Sequence, residues 1–350
     1  MLKWPLFLSC FLSGSSVMAR ITAAFGASHS VMLAATLDDW QHNFRQSDLR
    51  MPFFDREGRA CSYAQLLAQA PSHAAEQITP ARIAERYAQV QAALAHLKQA
   101  IAEAQLDVLV IVGDDQYELF QDTHMPAVGI YYGENIRNAD RAHAERNLKA
   151  PELWYRTAQM RRFEDTGPRT YPCHKPLALH LIEQLVEREF DISAISGLPE
   201  GAHEGHAYSF IHRWFLQDVA LPIIPVFVNT YNPPNPPLPR RCVSLGAAMR
   251  QSIEAFPKDL RVGLLASGGM SHFVVDEELD RGLLQALADK DMAHLAALDP
   301  RRLKAGSSEI RNWIIVASAV QHLDLRWSSY TPAYRTPALS GTGLGFAHWY

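Results

Sequence analysis

Two hydrophobic periods alternate along this chain. The clearest helical pattern runs over residues 81–104, where Ile83, Tyr87, Val90, Leu94 and Leu97 recur at helical spacing and predict an amphipathic helix. It gives way at once to DVLVIV (107–112), a continuous apolar run of the kind a strand shows when both faces are covered. The same succession predicts a strand at Arg20–Ala27, which opens into Ser28 and His29. A helix follows over 36–50 behind a Thr cap with an acidic first turn, then a DREGR turn and a short helix within 55–69. Further on, helices are expected over 177–189, 243–255, 277–290 and 309–320, and strands over 192–196, 223–229 and 262–266. Strands alternating with helices of this length predict a single α/β layered domain with helices on both sheet faces. No repeat of solenoid period is present.

Two segments lack either period. Residues 131–170 are rich in Arg, Asn and Asp, and residues 230–241 read TYNPPNPPLPRR. Connections this long in a compact domain are often lids or binding loops. The proline run could instead serve a partner as an extended ligand, but its position directly after a strand favours the loop.

Composition narrows the function classes. The chain has 350 residues, 48% apolar and 20% charged, with a formal net charge of -4, which fits a globular protein and gives no electrostatic argument for nucleic acid or anionic lipid. The four cysteines (Cys10, Cys61, Cys173, Cys242) form no CxxC pair, so neither a disulfide framework nor a cysteine metal site is indicated. The fifteen histidines are the more informative count, because enzymes use them as ligands and proton carriers. Residues 1–19 carry a lysine, a short apolar stretch and a small-residue end, like a secretory signal. The first strand follows immediately, which favours a non-structural extension, with Met18 as a rival start, on a cytoplasmic protein; secretion is the alternative. The stretch is too short and interrupted for a membrane span.

In open α/β sheets functional groups gather at the carboxyl ends of strands. Those ends read GASH (Ser28, His29), GDDQ (Asp114, Asp115, Gln116), Asn229 and GGMSH (His272). Small residues there let backbone and substrate approach closely. A lone histidine at a strand end is usually structural; four polar strand ends together favour a site.

These residues resemble the class III (LigB-type) extradiol ring-cleavage dioxygenases. The resemblance runs from about Arg20 to Val320 and is carried by GASH, GGMSH and SSEIRNWI (307–314). It implies one LigB-like catalytic domain over residues 20–350 with a central mixed sheet flanked by helices. It also implies a non-haem Fe(II) cofactor, a catechol or related hydroxylated aromatic as substrate, and insertion of both atoms of O2. A homodimer or a small accessory subunit is the implied assembly. On this basis His29 and Glu309 match metal ligands, His272 the acid/base, and His206 (in EGHAYSFI) a further active-site histidine. Where the family has its second ligand histidine this chain has Gln116, so the implied triad is His29, Gln116 and Glu309. An amide oxygen is a weaker, neutral ligand than imidazole, and Asp115 or His124 could complete the site. Asp115, His124 and Asn229 are the expected surrounding residues.

The bland alternatives are specific. Glu309 could be a helix N-terminal charge, and Gln116 and Asp115 could cap a turn. His206 is evenly balanced between structural and catalytic roles, and His124 leans structural. HEGH (203–206) lacks HExxH spacing, GTGLG (341–345) is no phosphate loop, and no GxSxG elbow occurs. A relative without oxygenase chemistry, or a metal-dependent hydrolase on the same scaffold, are the competing functions.

Overall fold

The structure, a computed structural model, describes residues 18–147 and 152–350; the signal-like stretch over residues 1–17 lies outside them. Its strands are β1 (Arg20–Ala27), β2 (Phe53–Phe54), β3 (Ala60–Cys61), β4 (Val108–Asp114), β5 (Val128–Tyr131), β6 (Asn135–Asn138) and β7 (Arg169–Pro172). They continue with β8 (Ser193–Ile195), β9 (Ile223–Val228), β10 (Arg261–Ser267), β11 (His272–Val274), β12 (Leu325–Tyr334) and β13 (Ser340–Trp349). Nine of them form one mixed sheet in the order β11-β13-β1-β10-β4-β9-β5-β8, with β12 on β13. β1, β10, β4 and β9 run parallel, so their carboxyl ends lie side by side along one edge of the sheet.

Helices cover both faces, which is why the parallel strands read as unbroken apolar runs: every position of β4 and β9 is buried. Successive side chains of β4 point to opposite faces. Leu109 and Ile111 join Val90 and Leu97 of the helix Pro80–Glu103 on one side. Val108, Val110 and Val112 meet Leu245 and Ile314 of the helices Pro239–Glu254 and Ile310–Ala319 on the other. The long helix starts where Thr79 accepts from Arg82 N and Pro80 fills the first position.

Two expectations are corrected. Residues 131–170 are not a structureless lid. Among the described residues they contain β6, the start of β7 and the helices Arg141–Asn147 and Leu153–Met160, and two of their polar residues, Asn138 and Glu164, are buried. Buried Asn138 donates to Arg162 O at 3.0 Å, and Tyr171 donates to Glu164 at 2.6 Å. The helix over 36–50 is divided into a π-helical turn, Asp39–Asn43, and an α-helix, Phe44–Asp48. The chain beyond Val320, to which the sequence pattern assigned no element, forms the β12–β13 hairpin, and β13 is buried at all ten positions. The proline-rich connection is irregular as expected, but pinned. Asn229 receives Asn232 N at 2.8 Å and donates to Asn232 O and Asn235 Oδ1, both at 2.6 Å.

Candidate active site and metal centre

β1, β10 and β4 are neighbours in the sheet, so the residues that follow them meet above its centre. His29 follows β1, and its Nδ1 lies 2.9 Å from Ser267 Oγ at the end of β10. The Ser267 hydroxyl already donates to Ala207 O at 2.7 Å, so Nδ1–H is the donor to serine. That fixes the tautomer and leaves the Nε2 lone pair facing Asp114 Oδ1 at 3.6 Å and Glu309 Oε2 at 3.4 Å.

His206 opens the helix His206–Trp214 and is held in the same way. Its Nδ1 lies 2.6 Å from Glu118 Oε2, which also accepts the His206 backbone N–H at 2.9 Å, while Arg162 pairs with Glu118 Oε1 at 3.1 Å. A Cβ at Gly205 would stand 2.9 Å from that carboxylate, so the glycine makes room for it. Burial opposes ionisation of Glu118, but His206 and Arg162 outweigh it and hold its carboxyl well below the usual range. Burial lowers the pKa of His206, yet Glu118 and Asp114 push it up to about 9. The same anionic field favours a cation at Nε2, which lies 3.8 Å from Asp114 Oδ2.

Four groups therefore converge. Donor atoms of His29, Asp114, His206 and Glu309 all lie within 4.8 Å of one another. His29 Nε2, His206 Nε2 and Asp114 Oδ1 are buried without a hydrogen-bond partner. Orphaned buried polar atoms are costly, and two imidazole nitrogens with two carboxylates suit a divalent transition metal. The residues present fit such an ion. Gln116 sits beside them with its amide nitrogen 3.2 Å from both Asp114 Oδ2 and Glu309 Oε1.

Glu309 ends a 3-10 turn, Ala305–Glu309, ahead of the helix Ile310–Ala319. That helix is anchored to the end of β10. Asn312 donates to Ser267 O and Trp313 Nε1 to Gly268 O, both at 2.9 Å, and Glu309 Oε2 accepts Gly269 N. His272 approaches from the other side, its Nε2 3.5 Å from Glu309 Oε1 and its Nδ1 2.8 Å from Met270 O. Burial lowers the His272 pKa, but Glu309 outweighs it and the net direction is upward.

The glycines of GGMSH make room for protein groups of the site. A Cβ at Gly269 would meet the His272 ring at 2.6 Å, and one at Gly268 would meet Glu309 Cβ at 2.9 Å. Ser271 turns away from the site: its N–H and hydroxyl both go to Asp280, at 2.8 and 2.6 Å.

A cleft of about 170 Å³ lies against this cluster, lined by His29, Gln116, His206, His272 and Glu309, with Phe44, Tyr155, Phe273 and Arg335 farther round its wall. A cavity of roughly 150 Å³ holds a benzene ring. Arg335 is buried, donates through Nε to Asp48 Oδ2 at 2.9 Å, and keeps Nη2 without a partner.

Of the surrounding residues, Asp115 caps a turn by accepting Leu119 N at 2.9 Å and Phe120 N at 3.2 Å, with burial raising its pKa to about 6. His124 is exposed on the next turn and Asn229 organises the proline-rich loop, so neither joins the cluster. His203 of HEGH bonds Glu204 O at 2.7 Å and packs on Phe163, apart from His206's partners. Sequence reasoning did not single out Asp114 as a ligand or Glu118 at all. Both lie in GDDQYE, where the only available signal was a run of acids after an apolar strand.

The family model described as the catalytic LigB subunit of aromatic ring-opening dioxygenase matches residues 66–345. The chain belongs to the LigB family. Its mixed sheet flanked by helices is a LigB-like α/β domain, as the resemblance implied. Among curated proteins it is 33% identical to a gallate dioxygenase of Pseudomonas putida over 145 residues, 40% of this chain and 41% of that protein. It is also 26% identical to a 2,3-dihydroxyphenylpropionate/2,3-dihydroxicinnamic acid 1,2-dioxygenase of Comamonas testosteroni over 183 residues, 52% of this chain and 48% of that protein. The matches thus span less than half the length of each of these relatives. No helix among the described residues is long and apolar enough to cross a membrane.

Proposed function

We propose that this LigB-family chain is an Fe(II)-dependent extradiol dioxygenase that opens the ring of a catechol or related hydroxylated aromatic, using both atoms of O2. The observation that carries the reading is the meeting of His29, Glu309 and His272 around one ring-sized cleft at the strand ends. The metal, when bound, acidifies the ring hydroxyls and lets electron density pass from the ring to O2.

The protein's own groups do the rest. His29 and Glu309 hold the cation, the first oriented by Ser267 and the second by the Gly269 N–H. His272 presents Nε2 to the cleft because Nδ1 is committed to Met270 O. It takes a proton from a ring hydroxyl and returns it as the ring opens, work suited to an imidazole. Phe44 and Phe273 give the cleft apolar walls for an aromatic ring. A cytoplasmic protein acting on a small aromatic, as a homodimer or with a small accessory subunit, is the setting this reading implies.

The test is anaerobic reconstitution with Fe(II), followed by iron analysis and oxygen uptake with a panel of catechols. About one iron per chain and uptake with at least one catechol is the expected result; no iron and no uptake overturns it. His272→Ala keeps its iron and loses turnover by roughly 10²–10⁴-fold. Loss of iron in that variant would contradict the proton-transfer role.

A further inference from the structure

We infer that His206 and Asp114 complete the metal site in this chain, that Glu118 orients His206 for the task, and that Gln116 is a tether between two ligand carboxylates rather than a ligand. The inference rests on reading the cleft as a metal-dependent site, and it concerns which side chains hold the ion.

Three observations carry it. The two histidines are prepared alike: each has its Nδ1 engaged, by Ser267 in one case and Glu118 in the other, and each has a buried Nε2 with no partner. A carboxylate or hydroxyl behind a ring nitrogen is how ligating imidazoles are held, because it fixes the ring and raises its basicity. The outward nitrogens, the orphaned Asp114 Oδ1 and Glu309 share one small volume. A divalent cation among them would give the two orphaned imidazole nitrogens and Asp114 Oδ1 a partner at once and offset the charge of the two carboxylates.

Gln116 differs from these groups in kind. Its amide nitrogen is a donor shared by Asp114 and Glu309, at 3.2 Å from each. Turning the amide over would aim its oxygen at the same two carboxylates. In the tethering orientation the nitrogen offsets their repulsion and fixes their spacing. The imidazole absent from position 116 is thus supplied from the helix His206–Trp214, and the conversion depends on Glu118, two residues beyond Gln116.

The test reads metal rather than turnover. Co(II) is titrated into the full chain without oxygen, with affinity measured by chelator competition and ligand field by visible absorption. Gln116→Ala is expected to retain one equivalent with the parent's visible spectrum, because the amide gives the ion no ligand atom, and to lose less affinity than His206→Ala. Glu118→Gln should weaken binding by about 10–100-fold, and His206→Ala should lose more and change the cobalt spectrum. Added imidazole should restore metal to His206→Ala, which separates a lost ligand from a damaged fold. Tight binding in His206→Ala with an unchanged spectrum, or loss of metal in Gln116→Ala alone, overturns the assignment, as does a parent chain that takes up no Co(II). Oxygen uptake is scored separately, so a chain that binds cobalt through His206 but cleaves no catechol would sink the dioxygenase reading and leave this one standing.

Discussion

Asp280 never touches the cleft, yet it governs where His272 stands. Its carboxylate receives Ser271 N and Oγ and the Tyr330 hydroxyl, and Ser271 is the residue before His272. Burial raises its pKa to about 6 against these hydrogen bonds. The folded state therefore keeps a proton that the unfolded chain has already released. The stability Asp280 contributes is full below about pH 4 and is lost as pH rises through about 6; a shift of about two units corresponds to roughly 3 kcal/mol. Urea unfolding across that window should show Asp280→Asn with a flatter dependence on pH than the parent, and parallel curves would refute the assignment. Arg335 makes a contrasting case, because its buried guanidinium is paired with the buried carboxylate of Asp48. Arg335→Met strands that charge and should cost about 3–5 kcal/mol, most of it recovered when Asp48→Asn is added. Additive losses in the double variant would show that the pair is not the source.

At the scale of elements, the turn Ala305–Glu309 and the segment from β10 to β11 are packed as a unit, and glycines set the fit. A Cβ at Gly306 would fall 1.7 Å from the His272 ring, a contact that only displacement can relieve. Gly306→Ala is expected to destabilise the fold by about 1–3 kcal/mol and to depress turnover far more than Co(II) affinity. Equal losses in both would mean that the turn supports the whole cluster and not the ring alone. This element also shows how far the sequence could be read. GASH, GGMSH and SSEIRNWI announced His29, His272 and Glu309, because each is a local motif beside a strand or helix end. The approach of Glu118 to His206 spans 88 positions and depends on Gly205 giving way, and no local pattern encodes it. The clearance supplied by Gly268 and Gly269 was visible as small residues, but what they clear for was not. That depends on where another helix comes to rest.

For the whole molecule, the sheet ties the site to the chain's far end. β13 pairs with β1 on one stretch and with β11 on another, and so runs beside His29 and His272. Ser28 N donates to Gly345 O at 2.9 Å and Gly345 N returns a bond to Ser28 Oγ at 2.8 Å, next to His29. Met270 N and Gly343 O, then Gly343 N and Ser271 O, bond in the same manner next to His272, at 3.1 and 2.8 Å. Glycines are needed here too: a Cβ at Gly343 would meet Asp280 at 2.1 Å, and one at Gly345 would meet Met270 at 2.3 Å. That composition hides the strand from periodicity. SGTGLGFAHW carries too few large apolar residues to read as core, although all ten positions are buried. The parallel strands were legible because covered faces demand Val, Ile and Leu, whereas β13 is covered by the very segments it locks and demands small residues. Ending the chain after His322 removes β12 and β13, exposes the edge of β1 and frees the backbone on either side of the cleft. An unpaired hydrophobic edge favours association with other chains. The truncated protein should be recovered mainly as aggregate, and any soluble fraction should lack the cooperative thermal transition and the Co(II) spectrum of the full chain. A soluble truncation that melts in one step and binds cobalt would show instead that the hairpin is an appendage and that His29 and His272 are held from the strand side alone.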